Sequence, residues 1–375
     1  MGFSFKTPPS ILFERGSAAR LGPLVADRMK RPVFVTDQGV ISAGLVGGAL
    51  ESLRESGLDV FVFDQVVADP PAQTIRDAVA AAREHGADGV IGFGGGSSLD
   101  TAKLIAVLLD PAQSLEGVYG VGNVKGTRPP LVLLPTTAGT GSEVTAISIV
   151  TSDDQRKIGV VADQLFADLA IVDPMLTLTA PRAVTAATGI DAMVHAIEAY
   201  TSKLLRNPVS SALAKEALAL LAGNLIRACE MPDDLEAREA MCIGATLAGQ
   251  AFSNAPVAAV HAMAYPLGAL FHVPHGVSNA LMLSPVLRFN ATVAADEYAE
   301  LGQVLGLGAD ANAFIDHMVD LCRQSGTPLR LTDVGVNHND LPRMAEDAVQ
   351  NERLMKNNPR PVAYEDALRL YEEVL

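Results

Sequence analysis

Near the middle of the chain the period of the apolar residues changes, and this limits the fold more than any other feature. Up to about residue 173, short apolar runs of strand character alternate with Ala-rich stretches of helical period. Segments 32–37, 58–63, 89–92 and 130–134 read as buried strands, and 42–56, 74–85 and 100–109 as helices. Such alternation implies parallel pairing in a doubly wound sheet. Around Asp153 and Asp154 two β-like runs flank a polar turn, which predicts a hairpin appended to that sheet. Beyond Asp173 and Pro174 strand character nearly vanishes, and 209–229, 235–252 and 257–270 read as helices, with more to the C-terminus. Pro181 suits the first turn of the helix that carries Asp191 and His195. With 375 residues to distribute, the expectation is an α/β domain over 1–178 with a mostly parallel sheet and an all-α domain over 179–375. The cleft between them is the expected ligand site.

Composition excludes several classes of partner. Lys and Arg number 28 against 43 Asp and Glu, a formal charge of −15, so a nucleic-acid partner is not expected. Hydrophobic residues reach 49% and charged ones only 19%, which asks for a large core and a subunit interface, hence a homodimer or higher homo-oligomer. Cys229, Cys242 and Cys322 are widely spaced and form no CxxC pair, as befits buried thiols rather than a disulfide framework or a thiolate zinc site. The opening MGFSFKTPPS lacks the apolar run of a signal peptide. The uncharged stretch 255–271 is short and interrupted by His261, Tyr265, Pro266 and Gly268, so no membrane span is expected there. A cytoplasmic protein is the resulting expectation.

Three constellations carry chemistry. Gly92-Phe93-Gly94-Gly95-Gly96-Ser97-Ser98 follows a strand and opens a helix, where backbone amides and the helix N-terminus can hold a diphosphate. Its sixth position is Ser97, so it is not the dinucleotide fingerprint itself, and an unliganded tight turn is the competing reading. A second loop, 135–145, places Thr136, Thr137, Thr140, Ser142 and Thr145 after another strand, where their hydroxyls can line a pocket. Successive strand ends are where open α/β sheets bind ligands. Asp37 ends an earlier strand, where a carboxylate can accept from a ribose hydroxyl and repel a 2′-phosphate, or can simply form a turn before Gly39. In the helical half, Asp191 and His195 stand four residues apart on one helix face, the logic of a helical zinc motif with a carboxylate in place of one imidazole. Four of the seven histidines, His195, His261, His272 and His275, fall in apolar surroundings where each needs a partner. A divalent metal shared by Asp191, His195, His261 and His275 satisfies the need.

The segments GGGSSLDTAK, PTTAGTGSEVT, GIDAMVHAIEAY and VHAMAYPLGALFHVPHG resemble those of the iron-containing (group III) alcohol dehydrogenases, and the similarity runs through nearly the whole chain. The resemblance implies a dehydroquinate-synthase-like architecture and an NAD-dependent enzyme, NADP being less favoured, that interconverts a small alcohol with an aldehyde or ketone. It implies that Asp191, His195, His261 and His275 ligate one divalent ion, Fe(II) or Zn(II). Cofactor contacts carry over onto Asp37, Gly95, Gly96, Ser97, Ser98, Thr136, Thr137, Thr140, Ser142, Thr145 and Lys157. Where well-known members have a second histidine four residues after the third ligand, this chain has Tyr265. Tyr265, His272 and His275 are therefore the candidates for proton handling, and Phe252, Tyr265, His272 and Ile147 for the substrate wall. The competing readings are a hydroxyacid–oxoacid transhydrogenase, a metal-free maleylacetate-type reductase, and a non-catalytic dinucleotide-binding or structural oligomer. The intact ligand set speaks against the last two.

Overall fold

The computed structural model describes residues 2–154 and 156–375. Its chain forms two compact units. One comprises Thr7–Thr137 and Gly141–Thr179, and the other comprises Ala180–Leu375 with Ala138–Thr140 and the segment up to Lys6.

Among the described residues the first unit holds nine strands: β1 Ile11–Phe13, β2 Pro32–Asp37, β3 Phe61–Val66, β4 Gly89–Gly94, β5 Gly120–Val121, β6 Leu131–Pro135, β7 Ile147–Thr151, β8 Lys157–Val161 and β9 Leu169–Val172. Between them run helices α1 Leu21–Val25, α2 Gln38–Ser42, α3 Gly47–Glu55, α4 Ala72–His85, α5 Gly96–Leu108 and α6 Leu115–Val118. Six strands make one wholly parallel sheet in the order β1-β9-β6-β4-β2-β3. Its central strands are apolar on both faces, because each face is covered by helices. Val33, Val35, Val90, Leu131 and Leu133 pack with Ile75, Val79, Leu99 and Ile105 of α4 and α5. Their neighbours Phe34, Ile91, Val132 and Leu134 point the other way, to Leu21, Val25 and Leu53 of α1 and α3. The two-residue side-chain period thus divides each strand between two cores.

Three local expectations need correction. The single helix over 42–56 is two helices, because the chain turns at Gly44, whose φ of 74° is a left-handed conformation that glycine adopts without strain. The strand at 58–63 lies three residues later, at Phe61–Val66. The hairpin of β7 and β8 is present but does not extend the main sheet; it pairs through β8 with β5 in a separate three-stranded sheet. Val150 and Val160 show why: both are fully buried in the core shared with α4 and α5, so the hairpin packs on helices.

In the second unit the main helices are α7 Arg182–Thr201, α8 Pro208–Glu230, α9 Leu235–Asn254, α10 Ala259–Phe271, α11 His275–Val304 and α12 Ala311–Ser325. From Thr185 to Thr201 almost every residue of α7 is buried, with α8, α9 and α11 packed around it. Missing side chains permit the close approaches. A Cβ on Gly276 of α11 would stand 2.1 Å from the carbonyl oxygen of Ala187 in α7, so this helix crossing admits only glycine. Among the described residues one helix, Pro208–Glu230, is long and apolar enough by composition to cross a membrane; here it packs on α7 and α9. Cys229, Cys242 and Cys322 are buried and in no disulfide, and burial pushes the Cys322 thiol up to about 12.

Candidate active site

Two sets of residues come together, one in each unit. In the first unit the chain goes from β2 to β3 on one side, then returns through α4 to lay β4 on the other side of β2. Strand order therefore reverses between β2 and β4, and ligands of open α/β sheets bind outside the carboxyl ends of the strands at such a switch point. Asp37 ends β2, the glycine loop follows β4, and Thr136 and Thr137 follow β6, the next strand over. Asp37 caps α2 by accepting from the Val40 N–H at 3.0 Å, and its other oxygen accepts from the Ser98 hydroxyl at 3.0 Å. Its carboxylate thus lies against the start of α5. That helix begins at Gly95 with no side-chain cap, which leaves its first backbone N–H groups to be satisfied from outside, as an anion would do. A Cβ at Gly95 would meet nothing nearer than Thr137, 3.8 Å away, so the approach to these amides is open. The Thr136 N–H donates to the Gly94 carbonyl, tying the two loops together.

Two further hydroxyls of the second loop, those of Ser142 and Thr145, are already engaged by α5. Ser142 donates to Asp100 at 2.6 Å, and Thr145 accepts from the Lys103 ammonium at 3.1 Å. Lys103 is fully buried and also donates to the carbonyl of Ile147; burial drives its pKa down, against the pull of Asp100 and Glu143. Sequence reasoning missed Asp100 and Lys103, although both stand in the GGGSSLDTAK segment. They anchor the loop from beneath. Lys157 pairs with Asp69 at 2.5 Å, and the Asp69 N–H donates to Ser97, which joins the hairpin, the loop after β3 and the glycine loop. Thr140 belongs with the helical unit, in the Ala138–Thr140 segment, where a Cβ on Gly139 would strike Thr188.

In the second unit Asp191, His261 and His275 converge so that one ligand atom from each lies within 4.8 Å of the others. His195 flanks this group of three: the Nε2 atoms of His195, His261 and His275 lie 3.9, 3.7 and 3.6 Å from Asp191 Oδ1. Four donors in a tetrahedron about a metal at ~2.1 Å stand about 3.4 Å apart, close to these three spacings from the shared oxygen. Asp191 and His195 share a face of α7, His261 stands early in α10 and His275 opens α11. Burial drives the His195 imidazole down to about 3, so it presents a neutral ring with a lone pair. Burial also acts to raise the Asp191 carboxyl, but the three histidines and the Asn279 amide outweigh it and hold the group below the ordinary carboxylate range. One carboxylate and two imidazoles thus converge, and the third imidazole, His195, has its Nε2 3.9 Å from the same Asp191 oxygen.

Two further residues shape this point, and neither was read from the sequence. Glu198 lies seven residues beyond Asp191 on the same face of α7 and accepts from His261 Nδ1 at 2.6 Å. The i, i+4, i+7 spacing of Asp191, His195 and Glu198 was the available signal. Asn279, one turn into α11, donates to Asp191 at 2.6 Å, and its amide nitrogen stands 3.3 Å from the Nε2 atoms of both His261 and His275. An electropositive N–H group thus reaches the spot on which these lone pairs converge, which is a further sign that the spot suits a cation.

The other expected residues lie beside this cluster in different ways. Tyr265 sits one turn beyond His261, half-buried, with its ring centroid 6.0 Å from that of His275. Phe252 is buried and stacks on the His195 ring at 4.2 Å, so it braces that imidazole directly. His272 is exposed and takes the left-handed C-cap position of α10, with φ 55°, outside the converging set. Ile147, half-buried at the start of β7, belongs to the first unit.

Comparison with known proteins agrees with this arrangement. Residues 8–174 match the family described as iron-containing alcohol dehydrogenase, and residues 185–375 match the Fe-containing alcohol dehydrogenase family, C-terminal. The long-chain-alcohol dehydrogenase 1 of Geobacillus thermodenitrificans is 40% identical over 356 residues, which cover 92% of this chain and 89% of that one. The crystal structure of a 1,3-propanediol oxidoreductase superposes with a TM-score of 0.96 at 34% identity, covering 100% of both chains. The sulfoacetaldehyde reductase of Bifidobacterium kashiwanohense, solved in complex with NAD+, gives 0.89 at 28% identity, covering 100% of this chain and 99% of that one. These neighbours share a dehydroquinate-synthase-like fold. The chain belongs to the iron-containing alcohol dehydrogenase family, whose members are metal-dependent oxidoreductases of alcohols and aldehydes, and it is a nicotinamide-dependent alcohol dehydrogenase.

Proposed function

We propose that Asp191, His195, His261 and His275 together hold one divalent ion, iron in the physiological enzyme, and that the Asp37, Gly95–Ser98 and Thr136–Thr137 edge of the sheet holds NAD. The observation that carries this reading is the convergence of three Nε2 atoms on one oxygen of a buried aspartate. When bound, a divalent ion supplies Lewis acidity toward an alcohol or carbonyl oxygen, and the nicotinamide supplies a hydride acceptor or donor. The protein's part is to hold these groups and exclude water. Asp191, His195 and His261 are buried, and His195 is sandwiched between Phe252 and His261, with ring centroids at 4.2 and 4.7 Å. The partly exposed edge of His275 and the ring of Tyr265 are the polar groups on the open side of the cluster. Tyr265 stands where its phenol can pass a proton, and we assign it that role.

The substrate class is a small alcohol and its aldehyde or ketone. A homodimer or higher homo-oligomer is the assembly we propose; Ile11 and Phe13 stand exposed on edge strand β1, as an interface strand requires. A cytoplasmic, reducing location suits three buried cysteines with no disulfide among them.

Protein prepared anaerobically and loaded separately with Fe(II) and Zn(II) tests the reading. About one ion per chain is expected, with NAD-linked oxidation across a panel of primary alcohols, diols and hydroxyacids. A chain that binds neither ion in stoichiometric amount, or turns over equally well after chelation, contradicts it. In the same panel Tyr265→Phe is expected to lower turnover about tenfold or more while keeping its metal, the usual worth of a positioned acid or base. Parent-like turnover across the pH range assigns the ring to packing alone.

A further inference from the structure

Glu198 is a buried carboxylate outside the four-residue donor set, and it meets three N–H donors with two oxygens. Oε2 accepts from the Ala258 N–H at 3.0 Å and from His261 Nδ1 at 2.6 Å, while Oε1 accepts from the Val260 N–H at 2.7 Å. Ala258 precedes α10 and has no side chain with which to cap it. Glu198 therefore supplies from α7 the cap that α10 lacks, at the helix end where negative charge is favoured. The same oxygen that caps the helix fixes the imidazole one turn in. With Nδ1 committed as a donor, the proton of a neutral His261 ring is on Nδ1 and the lone pair is on Nε2, the atom facing Asp191.

We propose that Glu198 is a positioning residue for the cation site, acting through His261: it selects the tautomer and the ring plane that leave Nε2 free to ligate. The inference rests on the reading that the Asp191 cluster holds an ion. A second oxygen-bearing side chain cannot take over the role by shape alone. Glutamine at this position has one oxygen and one NH2: with the NH2 in place of Oε1 the Val260 bond is lost, and with the NH2 in place of Oε2 the Ala258 and His261 bonds are both lost. Carboxylates that hold ligating imidazoles in this way typically matter 10- to 100-fold to metal affinity.

The test is the affinity of the metal-stripped protein for Zn(II), with Co(II) as a spectroscopic probe of the ligand field. The parent chain is expected to bind one ion. Glu198→Gln is expected to bind it 10- to 100-fold more weakly, with an altered Co(II) absorption spectrum and a folded far-UV signature. Parent-like affinity in Glu198→Gln, or a Co(II) spectrum at saturation that matches the parent's, overturns the inference. If Glu198→Gln does not fold, Glu198→Asp decides: it keeps the charge near α10 but stands one methylene back from the ring, so weakened binding upholds the inference and parent-like binding overturns it. A parent chain that binds no ion refutes the site itself, a result distinct from any of these.

Discussion

Replacing His261 with alanine is expected to abolish stoichiometric metal binding and to lower NAD-linked turnover by about a thousandfold or more, while the chain stays folded. Lewis-acid stabilisation contributes several kcal/mol at a reacting oxygen, and each 1.36 kcal/mol is a decade in rate. His261 is one of the Asp191 group and lies almost fully buried, and an alanine methyl offers no lone pair in its place. The fold should tolerate the change, because α10 keeps Val260, Met263 and Leu267 in the core and keeps its cap from Glu198. Elemental analysis, circular dichroism and initial rates measure the three parts of this expectation. A folded variant with full metal content and normal turnover would falsify the ligand assignment.

How much of this site could be read beforehand follows the range of the interactions. Asp191 and His195 were legible because a helix brings i and i+4 onto one face, so their pairing is local. His261 and His275 stand 70 and 84 residues from Asp191, and only their chemistry in apolar surroundings, with the family resemblance, linked them to it. Glu198 and Asn279 escaped for another reason. Each is an ordinary polar residue on a helix, and its meaning lies in the atom it faces across to a different helix. His272 shows the reverse case: its neighbourhood in sequence suggested the site, and the fold gives it the left-handed C-cap position of α10, outside the Asp191 group.

The fold divides in the same way. Long apolar strands such as β2, β4 and β6 and the Ala-rich helices were legible from their own period. β1, β5 and β9 have three, two and four residues, too few for any period to show, and they form only because longer neighbours template them. The separate sheet of β5, β8 and β7 was likewise hidden, since a hairpin pattern does not say which surface it will cover.

For the cofactor, Asp37→Gly is expected to move the ratio of the specificity constants for NAD and NADP by about a hundredfold towards NADP. Asp37 stands at the end of β2, on the edge of the switch point, where a carboxylate accepts from a ribose hydroxyl and meets a 2′-phosphate with uncompensated like charge. Like charges brought together on binding cost several kcal/mol, and about 2.7 kcal/mol is already a hundredfold. The side chain also has structural duties, and these set the control. It caps α2 through Val40 and accepts from Ser98. Exchanging a capping aspartate for glycine costs only a few tenths of a kcal/mol, so the variant should fold and lose little stability. Asp37→Asn keeps an oxygen for the cap and removes only the charge, so it separates repulsion from shape. If charge dominates, the asparagine variant should recover NADP use with NAD use little changed. If both variants keep the parent's cofactor ratio, Asp37 serves only to cap α2 and brace the glycine loop, and the preference for NAD is set elsewhere along the sheet edge.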